Sequence, residues 1–325
     1  MRRNILDSNT VSERFNILKV LSILSVIMAH SRKVNLGWVS YATEVLGALG
    51  VVIFFIIAGY YFNLNKYGYA IFFKRKIQTI IIPWVFTGSI LFLVGNEFTV
   101  LRWLNWLAGN GSYLYYLTIL IILYVLFGKI QNRNVLFLLI VLNICSLIYT
   151  NMFLLPTNTL ITNYLNPLNW VGFFSIGVLL QKQNSLLVTV DRYSFLFPFL
   201  FLVFCIVGYK FEPNYGGYFS KLAFFIEITG AGSLFLLSKY LLRYSSVFNK
   251  AADLSFTIYL VHFLFFPLRK YLLHGIINEF INPIIYLIVI IIAIQFGQIL
   301  ARKFRLEKFY NLLLGSRTRM IVKKA

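Results

Sequence analysis

The chain has 325 residues, of which 59% are hydrophobic and 12% charged, with mean hydropathy +0.78. That is more apolar material than a soluble domain of this length needs, and it excludes a soluble enzyme and a disordered chain alike. The net charge of +20 suggests nucleic acid at first sight, but the basic residues stand in the loops between apolar runs, so they describe membrane topology and no nucleic-acid partner is expected.

Apolar runs recur near 15–31, 40–63, 77–95, 113–128, 134–153, 167–181, 193–209, 219–242, 254–272 and 280–301. Each is close to the roughly 20 residues that cross a hydrocarbon core. The expected fold is therefore all-α, a polytopic membrane protein of about ten transmembrane helices in one bundle, one domain over 1–325. A basic tail over about 303–325 and no appended soluble domain complete the expectation. With the N-terminus in the cytoplasm, the alternate loops divide the 30 Lys and Arg residues into twenty-three inside and seven outside, which supports both termini being cytoplasmic. The start "RRNILDSNTVSERFN" resembles a signal-peptide n-region, but the run after it lacks a small-residue cleavage pattern, so it reads as an uncleaved first helix.

The first run, "LSILSVIMAHSRK", carries His30 just before it ends. Lys19 lies eleven residues earlier, close to three helical turns, so the two share a face about 16 Å apart along the axis. Ser22 and Val26 fall between them, and a partly polar face of this kind is expected to point into the bundle. His30 reads either as an imidazole that hydrogen-bonds a neighbouring helix or sits at the outer interface beside Arg32 and Lys33, or as a buried base. His262, in "DLSFTIYLVHFLFFP", lies roughly 13 Å into a helix that also enters from the cytoplasm, at a similar depth. It reads either as a satisfied core histidine packed near Tyr259 or as a second functional imidazole. His274 reads as solvated surface.

Glu227, in "FFIEITGAGSLF", sits inside an apolar run and is a functional candidate, either orienting an imidazole, binding an acceptor, or pairing with Lys221. Asp253 reads as a helix N-cap. Cys145 and Cys205 fall inside spans and read as small apolar groups. The three histidines and two cysteines have no metal-ligand spacing, so no metal is expected. Aromatics in "EFTVLRWLNWLAGNGSYLYY" and "KFEPNYGGYFS" fall in outside loops, where they could stack on sugars or form an interfacial belt.

Taken in order, "ILKVLSILSVIMAHS", "GVVIFFIIAGYYF", "FFKRKIQTIIIPW", "GSYLYYLTILIILY", "NWVGFFSIGVLL" and "LSFTIYLVHFLFF" resemble the membrane acyltransferase 3 family over nearly the whole chain. The resemblance implies a bacterial multi-pass enzyme of the cytoplasmic membrane. Such an enzyme moves an acyl group, usually acetyl from cytoplasmic acetyl-CoA, to a hydroxyl of a surface polysaccharide or lipid-linked glycan. It implies catalytic roles around His30, with Lys19 at the position of the family's arginine. A lysine there keeps the cation and loses the bidentate fork. Ala58 replaces the family's serine, Tyr115 and Tyr116 stand at its Trp-Phe pair as substrate contacts, and Lys74, Arg75 and Lys76 form its basic cluster ahead of Pro83.

The chemistry suits these positions. Acyl transfer to a sugar hydroxyl needs a base such as His30 to take the proton. Coenzyme A is a long arm with phosphates at one end, so Lys19, Lys74, Arg75 and Lys76 would hold the phosphates while the arm reaches inward. His262 and Glu227 complete the catalytic candidates. The rival class is a transporter or flippase using His30, Glu227 and His262 as relay groups, but such proteins favour matched broken helices, and no paired pattern accompanies Pro83 and Pro267.

Overall fold

The structure is a computed structural model that describes residues 7–31, 37–64, 68–95, 97–130, 132–153, 162–213, 217–271 and 275–315. Among these residues every regular element is helical. The first helices are α1 (Ser8–Ser31), α2 (Gly37–Tyr60), α3 (Tyr69–Lys76), α4 (Ile82–Gly95), α5 (Val100–Ala108), α6 (Tyr115–Phe127) and α7 (Arg133–Met152). They are followed by α8 (Val171–Lys182), α9 (Asn184–Arg192), α10 (Phe197–Phe211), α11 (Ala223–Tyr240), α12 (Ser245–Val261), α13 (Asn278–Lys303) and α14 (Glu307–Leu314).

The chain is an all-α membrane protein. Six stretches are long and apolar enough to cross a bilayer: Gly37–Tyr60, Tyr69–Gly95, Arg133–Met152, Ser194–Phe211, Ala223–Leu268 and Asn278–Lys303. Ala223–Leu268 is 46 residues long, more than twice what one crossing of about 20 residues needs. Of the ten expected runs, α6 and α8 are apolar but only 13 and 12 residues long, and α1 is not among the six.

The reason for α1 lies in its place. It packs against α2, α11, α12 and α13 at once, so Arg14, Ser22 and Ser25 are buried in protein. A helix enclosed in this way need not be apolar all round, because its polar groups meet partners and not lipid. The opposite holds for α7, α10 and α13, whose exposed Leu138, Val141, Phe199, Leu202, Ile288 and Ile292 form the outward surface, which acyl chains cover in a bilayer.

Small residues set the central contacts. A Cβ at Gly50 would stand 2.4 Å from the Ser22 carbonyl oxygen, and one at Gly47 would stand 2.7 Å from Ala29 Cβ. Further along α2, a Cβ at Gly59 would lie 2.1 Å from the Phe174 carbonyl oxygen, and one at Gly177 of α8 would lie 2.0 Å from that of Ile56. Between apolar helices in lipid, such close backbone approach and the dispersion it brings drive association. Gly59 of "FFIIAGYY" therefore has a packing reason of its own beside Ala58.

Two prolines shape the helices at limits that hydropathy alone places only approximately. The span expected over 77–95 begins earlier, at Tyr69, and passes through a π-helical turn at Ile77–Ile81 before Pro83. Proline has no N–H for the carbonyl one turn back, and the wider turn accommodates the mismatch. The span expected over 254–272 starts at Ser245 and changes at His262 into a 3-10 segment, His262–Tyr271, that contains Pro267. Asp253 consequently lies in the middle of α12 and is not an N-cap. The short helices α5, α9 and α14 were not anticipated, and α14 falls within the stretch read as a tail. His274 lies outside the described residues.

Candidate active site

The α-to-3-10 change at His262 builds the site. The last turn of a helix leaves carbonyls without intrahelical donors, and here side chains supply them. His262 Nδ1 donates to the Tyr259 carbonyl at 2.7 Å, the Tyr113 hydroxyl donates to that of Leu260 at 2.6 Å, and the Tyr286 hydroxyl to that of His262 at 3.3 Å. With Nδ1 as the donor, the neutral ring carries its lone pair on Nε2. That atom is buried and has no hydrogen-bond partner among the described residues.

His30, half-buried at the end of α1, meets this imidazole. The ring centroids are 5.5 Å apart with planes inclined by 34°, and Phe263 lies 4.7 Å from His30 and 4.5 Å from His262. Tyr113 closes the group, stacked on Phe263 at 4.4 Å and edge-on to His262 at 5.1 Å. The structure thus brings together two candidates that the sequence separates by more than two hundred residues.

The loop before α6 delivers Tyr113. Gly109 has φ 95°, and a Cβ there would stand 2.2 Å from the Tyr115 Cα, so this turn requires glycine. Behind Tyr113, Tyr115 and Tyr116 are both buried. Tyr116 packs on Phe55 at 4.7 Å and Tyr259 at 5.5 Å, while Tyr115 packs on Tyr164 at 4.8 Å and Trp170 at 5.6 Å. Tyr218 shares a hydrogen bond with Tyr115 and lies 5.1 Å from Trp170. Burial pushes the Tyr218 phenol above its ordinary range, with the neighbouring Tyr164 adding to the effect, so its hydroxyl stays protonated. A polar network holds this aromatic wall. Asn169 Oδ1 accepts from Ser146 at 2.6 Å and Thr150 at 3.2 Å, fixing the 163–170 segment on α7.

Glu227 lies within electrostatic reach of Tyr218. It is 2% exposed, and neither carboxylate oxygen has a hydrogen-bond partner among the described residues. It therefore does not pair with Lys221, whose backbone N–H goes instead to Glu212 at 2.9 Å, and it does not hold the His262 ring. An orphaned buried carboxylate is costly to keep and marks a place where a ligand or a proton belongs.

The cationic candidates lie away from the imidazoles, Lys19 midway along α1 and Lys74, Arg75 and Lys76 at the end of α3. Lys19 is half-buried, donates to Asn16 Oδ1 at 3.0 Å and stands 5.3 Å over the Tyr61 ring. Lys76 donates to the Tyr124 hydroxyl at 3.3 Å and lies over the Phe72 ring. Phe62, next to Tyr61, touches both Tyr124 and Phe72, so the end of α2 stands between Lys19 and Lys76. Lys74 and Arg75 are exposed. Along α1 itself, Ser22 and Val26 are packed against Gly50. A passage from Lys19 to His30 therefore does not follow the shared face that the sequence suggested.

The loop tryptophans tie α5 to α4: Trp103 Nε1 donates to Ser89 Oγ at 2.9 Å and Trp106 Nε1 to the Gly88 carbonyl at 3.1 Å. Arg14, read only as a topological charge, is 1% exposed. Its guanidinium donates to Asp191 Oδ1 at 2.6 Å, Ser238 Oγ at 3.1 Å and the Phe235 carbonyl at 2.8 Å. Tyr113, Trp170 and Tyr218 were also missed as site residues. No group of three or more potential metal ligands occurs among the described residues.

The acyltransferase domain family model matches residues 12–302, almost the whole chain. The protein belongs to the acyltransferase 3 family and is, at that level, a membrane acyltransferase. Comparison with curated proteins and with solved structures finds no match.

Proposed function

We propose that the protein transfers an acetyl group from cytoplasmic acetyl-CoA to a hydroxyl of an extracytoplasmic polysaccharide or lipid-linked glycan, in a bacterial cytoplasmic membrane with both termini inside. The observation that carries this reading is the pair of imidazoles, one half-buried and one fully buried, inside an acyltransferase. His30, the more accessible ring, takes the proton of the acceptor hydroxyl. Its oxygen bonds to the thioester carbonyl carbon, the carbon–sulfur bond breaks, and the proton passes to the departing thiolate. His262 stands behind it with Nε2 as an acceptor, fixed by the Tyr259 carbonyl, and steadies the imidazolium formed on His30.

Lys19 of α1 and Lys76 of α3, with Lys74 and Arg75, hold the coenzyme A phosphates. Tyr115 and Tyr116 act on the acceptor as part of the buried wall, with Glu227 near the hydroxyl-rich end of that wall. Membranes containing the wild-type protein, given acetyl-CoA with a radiolabelled acetyl group, are expected to label envelope glycan. His30→Ala and His262→Ala membranes with equal amounts of inserted protein are expected not to. Full labelling by both variants overturns the assignment, and absence of label in the wild type as well directs the next assay to transport flux.

A further inference from the structure

Away from the imidazoles, α1, α2, α8, α9, α10 and α11 line a partly open cavity of about 240 Å³. Everything that lines it is aliphatic, aromatic or glycine, including Phe15, Ile57, Leu187, Val190, Ala231 and Phe235. Packed interiors leave few voids larger than a water molecule, and a dry apolar cavity of about 150 Å³ already accepts benzene. Water finds no hydrogen-bond partner on such walls. The chemistry that fits is a hydrocarbon chain.

Two further observations specify which chain. The wall made by Val190 and Phe197 flanks the α9–α10 connection, where Tyr193, Phe195 and Leu196 are exposed on the outward surface. Polar groups stand at the rim: Asp191 follows Val190, Arg14 precedes Phe15, and Lys239 lies one turn beyond Phe235. Arg14 Nη1 and Lys239 Nζ share the single Asp191 carboxylate at 2.6 and 3.9 Å, which leaves a positive charge in excess, and the Lys239 side chain is 52% exposed. A cation at the edge of an apolar cavity suits an amphiphile with an anionic head.

We propose that this cavity holds one acyl chain of an anionic membrane glycerophospholipid, with its phosphate against Lys239. No residue of the His30–His262 site lines it, so the lipid occupies a second site on the protein. Filling the cavity displaces the chain, and excluding even three methylenes from burial weakens binding by roughly fiftyfold.

The test uses the full chain, delipidated in detergent and reconstituted in phosphatidylcholine vesicles containing phosphatidylglycerol with a photoactivatable group on one acyl chain. Labelled peptides are mapped by mass spectrometry. Label is expected on the peptides that contain Leu186–Val190 and Ile228–Phe235. It should fall to background there in Ala231→Trp and in Ile57→Trp, while label on the exposed α10 and α13 surfaces stays constant and reports folding. Lys239→Gln should reduce labelling by phosphatidylglycerol more than labelling by a phosphatidylcholine probe, whose choline offsets the phosphate charge. Unaltered label in both filled variants overturns the site. So does a wild type labelled on its outer surfaces alone, with the filled variants gaining heat stability as an empty void would predict.

Discussion

The two ends of α1 hold contrasting polar clusters. Near its start, Arg14 is buried and every direction of its guanidinium is answered, by Asp191, Ser238, the Phe235 carbonyl and, 3.7 Å below, the Phe235 ring. Near its other end, His262 Nε2 is buried with nothing to answer it among the described residues, and Glu227, behind the tyrosines, is in the same condition. Burying an unpaired polar group costs about 1–3 kcal/mol, so a chain that satisfies one cluster and leaves the other open differs in what it asks of each. The closed cluster holds helices together, and the open one is shaped for something that arrives.

That contrast breaks most sharply on the open side. His30→Ala should slow transfer by about 10²–10⁴-fold, the usual contribution of a general base, with little change in thermal stability. His262→Ala should act similarly on rate. In addition, His262→Asn, which can still donate to the Tyr259 carbonyl, should keep the fold while losing the acceptor that Nε2 provides. Rates measured beside thermal melts separate the two effects, and a large stability loss with unchanged specific activity would mark the pair as structural.

On the closed side, Arg14→Ala removes a buried guanidinium and leaves the part-exposed Asp191 to Lys239 alone, so the loss should approach but not reach the cost of breaking a fully buried pair, about 3–5 kcal/mol. A markedly lower melting temperature is expected, with specific activity of the surviving folded protein preserved. An activity loss without destabilisation would move Arg14 from the framework to the chemistry. Glu227→Gln tests the same contrast from within the site. It keeps shape and takes away a group able to exchange a proton. Little change in stability with slower transfer is expected, since neither carboxyl oxygen makes a hydrogen bond among the described residues that holds the fold.

Much of this was legible in the sequence, and for identifiable reasons. The apolar runs revealed an all-helical membrane chain because each must satisfy its own backbone in lipid. His30, His262 and Glu227 stood out because ionisable groups are rare inside such runs. What stayed hidden depends on pairing between helices. Arg14 looks like any basic residue near a cytoplasmic boundary until α9 and α11 bring Asp191 and Ser238 to it. Tyr113 and Tyr218 look like loop aromatics until the turn at Gly109 and the wall around Trp170 bury them. Asp253 preceded an apolar run and so resembled a cap, but α12 begins a full two turns earlier, at Ser245, because tertiary contact extends helices beyond their apolar core.

Lys19 gives the smallest effect and the finest test, because it belongs to neither pattern completely. Its ammonium is partly satisfied by Asn16, which in turn donates to Asn249 Oδ1 at 2.7 Å and so links α1 to α12. If Lys19 also meets a coenzyme A phosphate, Lys19→Ala should weaken acetyl-CoA binding by about tenfold, the worth of one charge-assisted hydrogen bond. Lys19→Arg should preserve or strengthen binding, since a guanidinium offers a phosphate two parallel donors. Equal losses in both variants, measured as KM for acetyl-CoA at constant kcat, would show that Lys19 works through the Asn16–Asn249 contact alone. The phosphate would then fall to Lys76 and its exposed neighbours, and the donor would enter beside α3 and not beside α1.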